Sequence, residues 1–444
     1  MSTPPIERRL IMFTRYPVPG RTKTRLIPVL GPLGAAELQR QLSEQTLAVL
    51  LRSYQAPVDV AYTGGTREQV RRWLNGARIQ LYEQPPGDLG RRMQHVIQGA
   101  FDQGARQVVL VGADVPEVTP KHMVDAFEAL AGHDLVLGPS EDGGYWLIGC
   151  RRPAPVFHGI DWATPHVLAQ TIGAAKRHGL STALLKPLRD IDTEADVRRW
   201  LPQQAVQRPY LTVVIPVLNE AERIAPLIAK LRAPDIETIV VDGGSRDGTS
   251  QAARQAGATV IGAPRGRARQ QNAGAAQSAG KVLLFLHADT RLPGDFSAQV
   301  FERLMDPKVA LGAFRFKTDY KHWAMRWVEW GVHARSVLLH LPYGDQAFFM
   351  RKALFDRVGG FPDVPFAEDL LLVRKLARLG RIELTPGAAV TSGRRWQAVG
   401  IGRLTLINHL IAGGCLLGVD PGRLAPLHQY GSKLKKRRNR RPGA

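Results

Sequence analysis

Two apolar runs that each end in an aspartate constrain this chain more than any other feature. "KVLLFLHADT" (Lys281–Thr290) is apolar from Val282 to Leu286 and then meets His287 and Asp289. "QVVLVGADVP" (Gln107–Pro116) has the same shape and ends in Asp114. Short, continuously apolar runs of this kind suit strands buried on both faces, in a sheet covered by helices on each side. In open α/β sheets, ligands bind outside the carboxyl ends of the strands. An aspartate there serves as turn or cap chemistry, or as a ligand for Mg²⁺ or Mn²⁺. Those ions take one or two protein carboxylates, keep waters, and complete their shell with substrate phosphates. Two such strand ends in one chain favour the metal.

The surrounding pattern repeats. A strand at Arg9–Tyr16 leads through "PVPG" into a helical pattern from about Gly34 to Tyr54, with further strands at Val58–Tyr62, Gln107–Gly112 and Asp134–Leu137. The alternation breaks at "LPQQAVQRP" (Leu201–Pro209), a short polar linker bounded by prolines. It restarts with the strand "YLTVVIPVLNE" (Tyr210–Glu220), a helix, the strand "ETIVVDGGS" and a helix over about Arg265–Ala279. Strands alternating with helices predict parallel, doubly covered sheets. The expected domains are 1–205 and 206–400, followed by an amphipathic segment and basic tail over 401–444.

The 444 residues carry a net charge of +21, which favours anionic partners. Part of it is local, since "KLKKRRNRR" (Lys433–Arg441) closes the chain. That tail suits a solvated extension, a tether to anionic lipid, or a nucleic-acid contact; no specific nucleic-acid module accompanies it. The stretch Ile401–Val419 contains Arg403, Asn408, His409 and four glycines, and predicts a surface or interfacial helix rather than a membrane span. Cys150 and Cys415 are the only cysteines, and the first residues lack a signal-peptide layout. Both point to the cytoplasm, with the inner membrane face as a peripheral alternative. Trp323, Trp327 and Trp330 stand at helical spacing and suit core packing, an apolar acceptor wall or a membrane-interface face.

In the second half, successive strand ends carry Glu220, Asp242 and Asp289, with Gly243, Gly244 and Gly248 permitting tight turns. The segments "IPVLNE", "DGGSRDGT", "HAD" and "PFAEDLLLVRKL" occur in the order found in glycosyltransferase family 2, which this half resembles over about residues 210–400. The resemblance implies a GT-A fold and a nucleotide-diphosphate sugar donor. It places Glu220 and Asp242 on the donor, with Asp242 at the base, and Asp289 at the metal-bound diphosphate. It makes Asp369, beside Glu368, the general base for an acceptor hydroxyl. Arg267, Arg269 and Arg374 are candidates to stabilise the leaving diphosphate. His287 departs from the acidic residue expected first in the metal motif, and serves as a neutral ligand or a structural group. "SGRRWQ" (Ser392–Gln397) is close to a motif of processive synthases, but Ser392 replaces its glutamine, so a single, non-processive transfer is expected.

In the first half, "RYPVPGRTKTRL" sets Gly20, Lys23 and Arg25 just past a strand, where a glycine turn and cations suit phosphates, although P-loop spacing is absent. "GPSEDGGYWLIG" supplies Glu141 and Asp142. With "KTRL", "GADVP", "DGGYWLIG" and "DIDTEAD" (Asp190–Asp196), residues 8–198 resemble a bacterial glycosyltransferase-like family related to phospholactate and molybdenum-cofactor guanylyltransferases. The resemblance implies a second GT-A-like, nucleotide-binding domain with Asp114 at its metal. Names given to both families include arsenosugar-biosynthesis glycosyltransferases.

The expectation is therefore an α/β chain with two GT-A-like (Rossmann-like) domains in tandem. It is an inverting transferase that moves a sugar from a nucleotide-diphosphate sugar to a small or lipid-like hydroxyl acceptor, with Mg or Mn as cofactor and an anionic membrane surface as a further partner. The first domain either makes the donor or supports the fold. The competing class is a nucleic-acid-binding protein.

Overall fold

The computed structural model describes residues 8–53, 55–76, 78–200, 209–417, 419, 422–424 and 426. Most of the linker Leu201–Pro209 and all of the basic tail lie outside these residues. The chain divides into two compact units, Met1–Gln207 and Arg208–Ala444.

The first unit is built on β1 (Arg8–Arg15), β2 (Val58–Thr63), β3 (Ile79–Glu83), β4 (Gln107–Gly112), β5 (Leu135–Pro139), β6 (Tyr145–Cys150) and β7 (Thr182–Leu184). Their order in the sheet is β3-β2-β1-β4-β6-β5-β7. β1 runs parallel to β2 and β4, as the apolar runs predict. β6 is antiparallel to both β4 and β5, so the sheet is mixed rather than wholly parallel. The reason is local: β5 and β6 are joined by the short turn Ser140–Gly144, and a parallel crossover needs a dozen or more residues. Gly143 takes φ +89 in that turn, and a Cβ there would lie 2.2 Å from the Pro165 carbonyl oxygen.

The second unit repeats the plan. Its strands are β8 (Leu211–Val217), β9 (Ile236–Asp242), β10 (Thr259–Gly262), β11 (Val282–Phe285), β12 (Thr290–Arg291), β13 (Val309–Thr318), β14 (Phe349–Arg351) and β15 (Arg381–Thr391). The order is β10-β9-β8-β11-β14-β13-β15-β12, and β14 is again the antiparallel strand beside the fourth. β11 stops at Phe285, so His287 and Asp289 belong to the loop that follows.

Both sheets reverse their strand order beside the first strand, between β1 and β4 and between β8 and β11. A crevice opens outside the carboxyl ends at such a point. Asp114 follows β4 and Asp289 follows β11, so the two aspartates occupy equivalent places.

Each sheet is held by its own core. Ile11, Leu110, Leu137 and Ile148 are fully or almost fully buried in the first unit, and Val214, Val241, Leu283 and Leu372 in the second. The helix Arg267–Gln277 lies so close to β8 and β9 that a Cβ at Gly274 would approach a Val214 methyl to 2.4 Å. The helix Ile401–Leu416 packs Ile407, Ile411 and Cys415 against Phe366 and Leu370, and thereby closes one wall of the second unit.

Candidate functional site

The loops after β8 and β9 are tied into one platform. Asn219, in a left-handed conformation at φ 56, donates its N–H to Ser245 Oγ at 2.9 Å, and its Oδ1 accepts from the Arg246 N–H at 2.9 Å. The Glu220 N–H donates to Thr249 Oγ1 at 2.8 Å. Asp242 anchors the second loop, with Oδ1 accepting from the N–H groups of Gly244 and Ser245 at 3.0 and 2.8 Å and Oδ2 accepting from the Ser250 hydroxyl. Burial alone would push this carboxyl up, but the hydrogen bonds from Ser250, Ser245 and Gly244 outweigh it and hold the pKa below the ordinary value. Asp242 is buried beneath the loop and does not line the cavity described next.

That cavity, about 1120 Å³, lies wholly within the second unit. Glu220, Arg267, Arg269, Asp289 and Asp369, all expected from the sequence, line it. Asp289 is partly exposed, with Oδ2 at 3.6 Å from Arg394 Nη2. His287 also lines the cavity, and burial with the nearby Arg267 pushes its pKa down to about 3, so its imidazole is neutral at neutral pH. Glu220 is paired with Arg223 at 2.6 Å. Arg269 is paired with Asp363 at 3.0 Å at the cavity wall.

The helix Glu368–Ala377 begins at the cavity from a left-handed Ala367. Asp369 accepts from the Gly344 N–H through Oδ2 and from the Leu370 N–H through Oδ1, both at 2.8 Å. Glu368 is buried, and burial followed by the charge of Asp369 pushes its pKa up to about 7. Arg374 does not reach the cavity: Nη1 donates to the Cys415 carbonyl at 3.2 Å and ties this helix to Ile401–Leu416. Helical periodicity explains the correction, because Arg374 lies in the last turn and Asp369 in the first.

Four further residues of the cavity lining carried no expectation from the sequence. Arg394 and Arg395 come from "SGRRWQ", whose basic pair was the available signal. Asp345 follows a glycine at Tyr343–Gln346, and burial raises its pKa to about 6 against the lowering effect of Arg335. Trp396 contributes a buried Nε1–H with no hydrogen-bond partner among the described residues.

In the first unit, Asp114 meets Asp190 and Asp192, with one carboxylate oxygen of each within 4.8 Å of the others. Burial raises the pKa of Asp114, with Lys23 opposing. Burial, then Asp142 and Asp114, raises Asp190 to about 7. Lys23 Nζ donates to the Ile191 carbonyl at 2.6 Å and Asp192 Oδ1 at 3.1 Å, and Arg25 lies 3.9 Å from Asp192. Asp142 accepts from the Gly144 N–H at 2.9 Å. Gly20 turns at φ +78 with open space around its α-carbon. An all-oxygen set of carboxylates that repel one another suits a hard divalent cation, whose charge relieves the repulsion. Asp190 and Asp192 had a signal in the acid-rich "DIDTEAD", but only the fold brings that segment to Asp114.

Residues 212–361 match the family model for glycosyl transferase family 2, and residues 46–164 match that of an uncharacterized protein family conserved in bacteria, DUF2064. A phosphoenolpyruvate guanylyltransferase of Chloroflexus aggregans is 27% identical over 201 residues, which is 42% of this chain and 93% of that protein. The glycosyltransferase AglE of Haloferax volcanii is 34% identical over 93 residues, 18% of this chain and 31% of that protein. Among solved structures, the mannosyltransferase PcManGT of Pyrobaculum calidifontis, in complex with GDP-Man and Mn2+, shares 25% identity over 50% of this chain and 69% of its own, with a TM-score of 0.38. By the match over residues 212–361 the second unit carries a family 2 glycosyltransferase domain, the first unit is similar to a guanylyltransferase, and the chain is a transferase.

Proposed function

We propose that the second unit transfers a sugar from a nucleotide-diphosphate sugar to the hydroxyl of a small or lipid-like acceptor, in one inverting, non-processive step. The observation that carries this reading is that one cavity is lined by both a metal-type aspartate, Asp289, and the acidic pair Glu368–Asp369.

The residues fit a divalent ion. Asp289 offers one partly exposed carboxylate, neutral His287 stands two residues before it, and the rest of a shell falls to waters and diphosphate oxygens. Mg²⁺ or Mn²⁺ bound there would neutralise charge on the departing diphosphate. Arg267, Arg394 and Arg395 would hold the same oxygens from the protein side. Glu220 and the loop braced by Asp242 would set the floor on which the donor rests. Asp369 would take the proton from the acceptor hydroxyl as its oxygen bonds to the anomeric carbon. The bond from that carbon to the diphosphate breaks on the opposite face, so the configuration inverts.

The first unit is read as an active nucleotidyltransferase-like domain that makes the donor. Asp114, Asp190 and Asp192 would hold the metal, and the loop of Gly20, Lys23 and Arg25, with Asp142 nearby, would face the nucleotide. Three converging carboxylates favour this over a purely structural role. A calorimetric panel of nucleotide sugars against the whole chain, with and without Mn²⁺, tests the donor site. No Mn²⁺-dependent binding across UDP- and GDP-sugars would sink it, and a product retaining the donor's anomeric configuration would sink the single-displacement step.

A further inference from the structure

Among the described residues, most of the large apolar side chains left exposed fall in two segments, Trp323–Leu339 and Leu406–Val419. On the helix Trp323–Leu338, Trp323, Trp327 and Trp330 are 73%, 68% and 67% exposed. Their spacing of four and three residues puts them on one face. The helix buries its other face: Met325 packs with Trp396, Val399 and Leu404, and Val328 and Val332 lie against the same cluster. The three tryptophans are therefore not core, and they lie outside the cavity lining. The neighbouring helix Ile401–Leu416 is arranged likewise, with Leu406 60% and Leu410 52% exposed while Leu404, Asn408 and Ile411 line the cavity.

We propose that these two helices form a monotopic docking face that lies in the headgroup layer of an anionic bilayer, from which the cavity draws its acceptor. The acceptor part rests on the sugar-transfer reading; the docking part does not. Tryptophan is suited to this place because its ring is apolar at one end and hydrogen-bonding at the other. The charges beside the apolar side chains have the sign an anionic surface selects. Arg326 and Arg403 are exposed, and no carboxylate occurs in Ile401–Leu416. The one acid in Trp323–Leu338, Glu329, is partly buried and accepts from the Thr318 N–H at 3.0 Å. Beyond this face the sequence runs into Lys433–Arg441, seven basic residues in nine, adding attraction of the same sign. No helix among the described residues is long and apolar enough to cross a membrane, so the contact is one of lying on the surface.

Other occupants fit less well. The chain's own basic end has little apolar surface with which to cover tryptophan and leucine. A second copy placed by a two-fold axis would present the same cations, Arg326 and Arg403, to one another. The helix Ile401–Leu416 is also the wall between the face and the cavity, which gives a lipid-borne hydroxyl a short route in.

The test is co-sedimentation of the full chain with phosphatidylcholine vesicles, with or without about 30% phosphatidylglycerol, at about 0.05 M and 0.5 M salt. The expected result is binding to the anionic vesicles that weakens in high salt. The triple variant Trp323→Ser, Trp327→Ser, Trp330→Ser should lose about tenfold or more in partitioning. Its circular dichroism and its transfer to a soluble hydroxyl acceptor should match wild type. Leu406→Ser with Leu410→Ser should act in the same direction. Asp289→Asn should sediment like wild type, which keeps docking separate from sugar transfer: vesicle binding by a wild-type chain that transfers no sugar supports the docking face and sinks the donor reading alone. Equal sedimentation of the triple variant and wild type overturns the proposal. So does equal binding to neutral vesicles, or a dimer that the triple variant splits without any vesicle binding.

Discussion

Arg394 Nη2 lies 3.6 Å from Oδ2 of Asp289, although one residue follows β11 and the other opens the helix Arg394–Val399. The cation stands beside the carboxylate that a metal-bound diphosphate would approach, so the pair joins the two kinds of positive charge that a departing diphosphate needs. In a chain whose first site is silenced by Asp114→Ala, Asp289→Asn should abolish the remaining Mn²⁺-dependent donor binding and leave the fold intact, because the residue is partly exposed and outside the strand. Arg394→Ala should weaken donor binding about tenfold while retaining its Mn²⁺ dependence, the loss of one charge-assisted hydrogen bond. Calorimetry with and without Mn²⁺ separates the two; donor binding in Asp289→Asn equal to that of its Asp114→Ala parent would refute the metal role.

The base is tested by rate rather than affinity. Asp369→Asn should slow transfer ~10²–10⁴-fold with donor affinity nearly unchanged. The Gly344 N–H already bonds its Oδ2, so the carboxylate is held in place before any acceptor arrives. Should Asp369→Asn transfer at the wild-type rate while Glu368→Gln does not, the buried Glu368 is the base.

Glu368 also fixes a pH dependence. Its pKa rises from 4.5 to about 7 on folding, first because it is buried. Below pH 4.5 both folded and unfolded chains hold the proton, and the group contributes nothing. Between 4.5 and 7 the folded protein holds a proton that the unfolded chain releases, so stability falls as pH rises; above 7 the loss is complete. Glu368→Gln should flatten this fall and be relatively more stable at pH 8 than at pH 5, by about 3 kcal/mol at most. Urea titrations at both pH values check it; an unchanged pH slope in the variant would show that the group is not shifted.

Residues 1–205 expressed alone should be soluble and bind a nucleoside triphosphate or nucleotide sugar with Mg²⁺. Asp114→Ala should abolish that binding, and Asp190→Asn should weaken it about tenfold or more through loss of a metal ligand. Calorimetry across the common nucleotides decides; no binding to any of them would leave the domain a structural role.

Much was legible in the sequence because its signals are local. An apolar run followed by a polar strand end marks β4 and β11, and with them Asp114 and Asp289. The order of motifs along the second half marked Glu220, Asp289 and Asp369, all of which the fold brings to one cavity. What depended on partners distant in the chain was not legible. Asp190 and Asp192 join Asp114 only when the segment before the linker folds back to the loop after β4, where the Ile191 N–H donates to the Asp114 carbonyl. Arg374 shares a helix with Asp369 yet turns to the Cys415 carbonyl, because successive turns of a helix face different neighbours. Trp323, Trp327 and Trp330 had a helical period that served core and surface equally well. Periodicity fixes which residues share a face, and only the packing of Met325 and Val328 against Trp396 and Leu404 decided which face was buried.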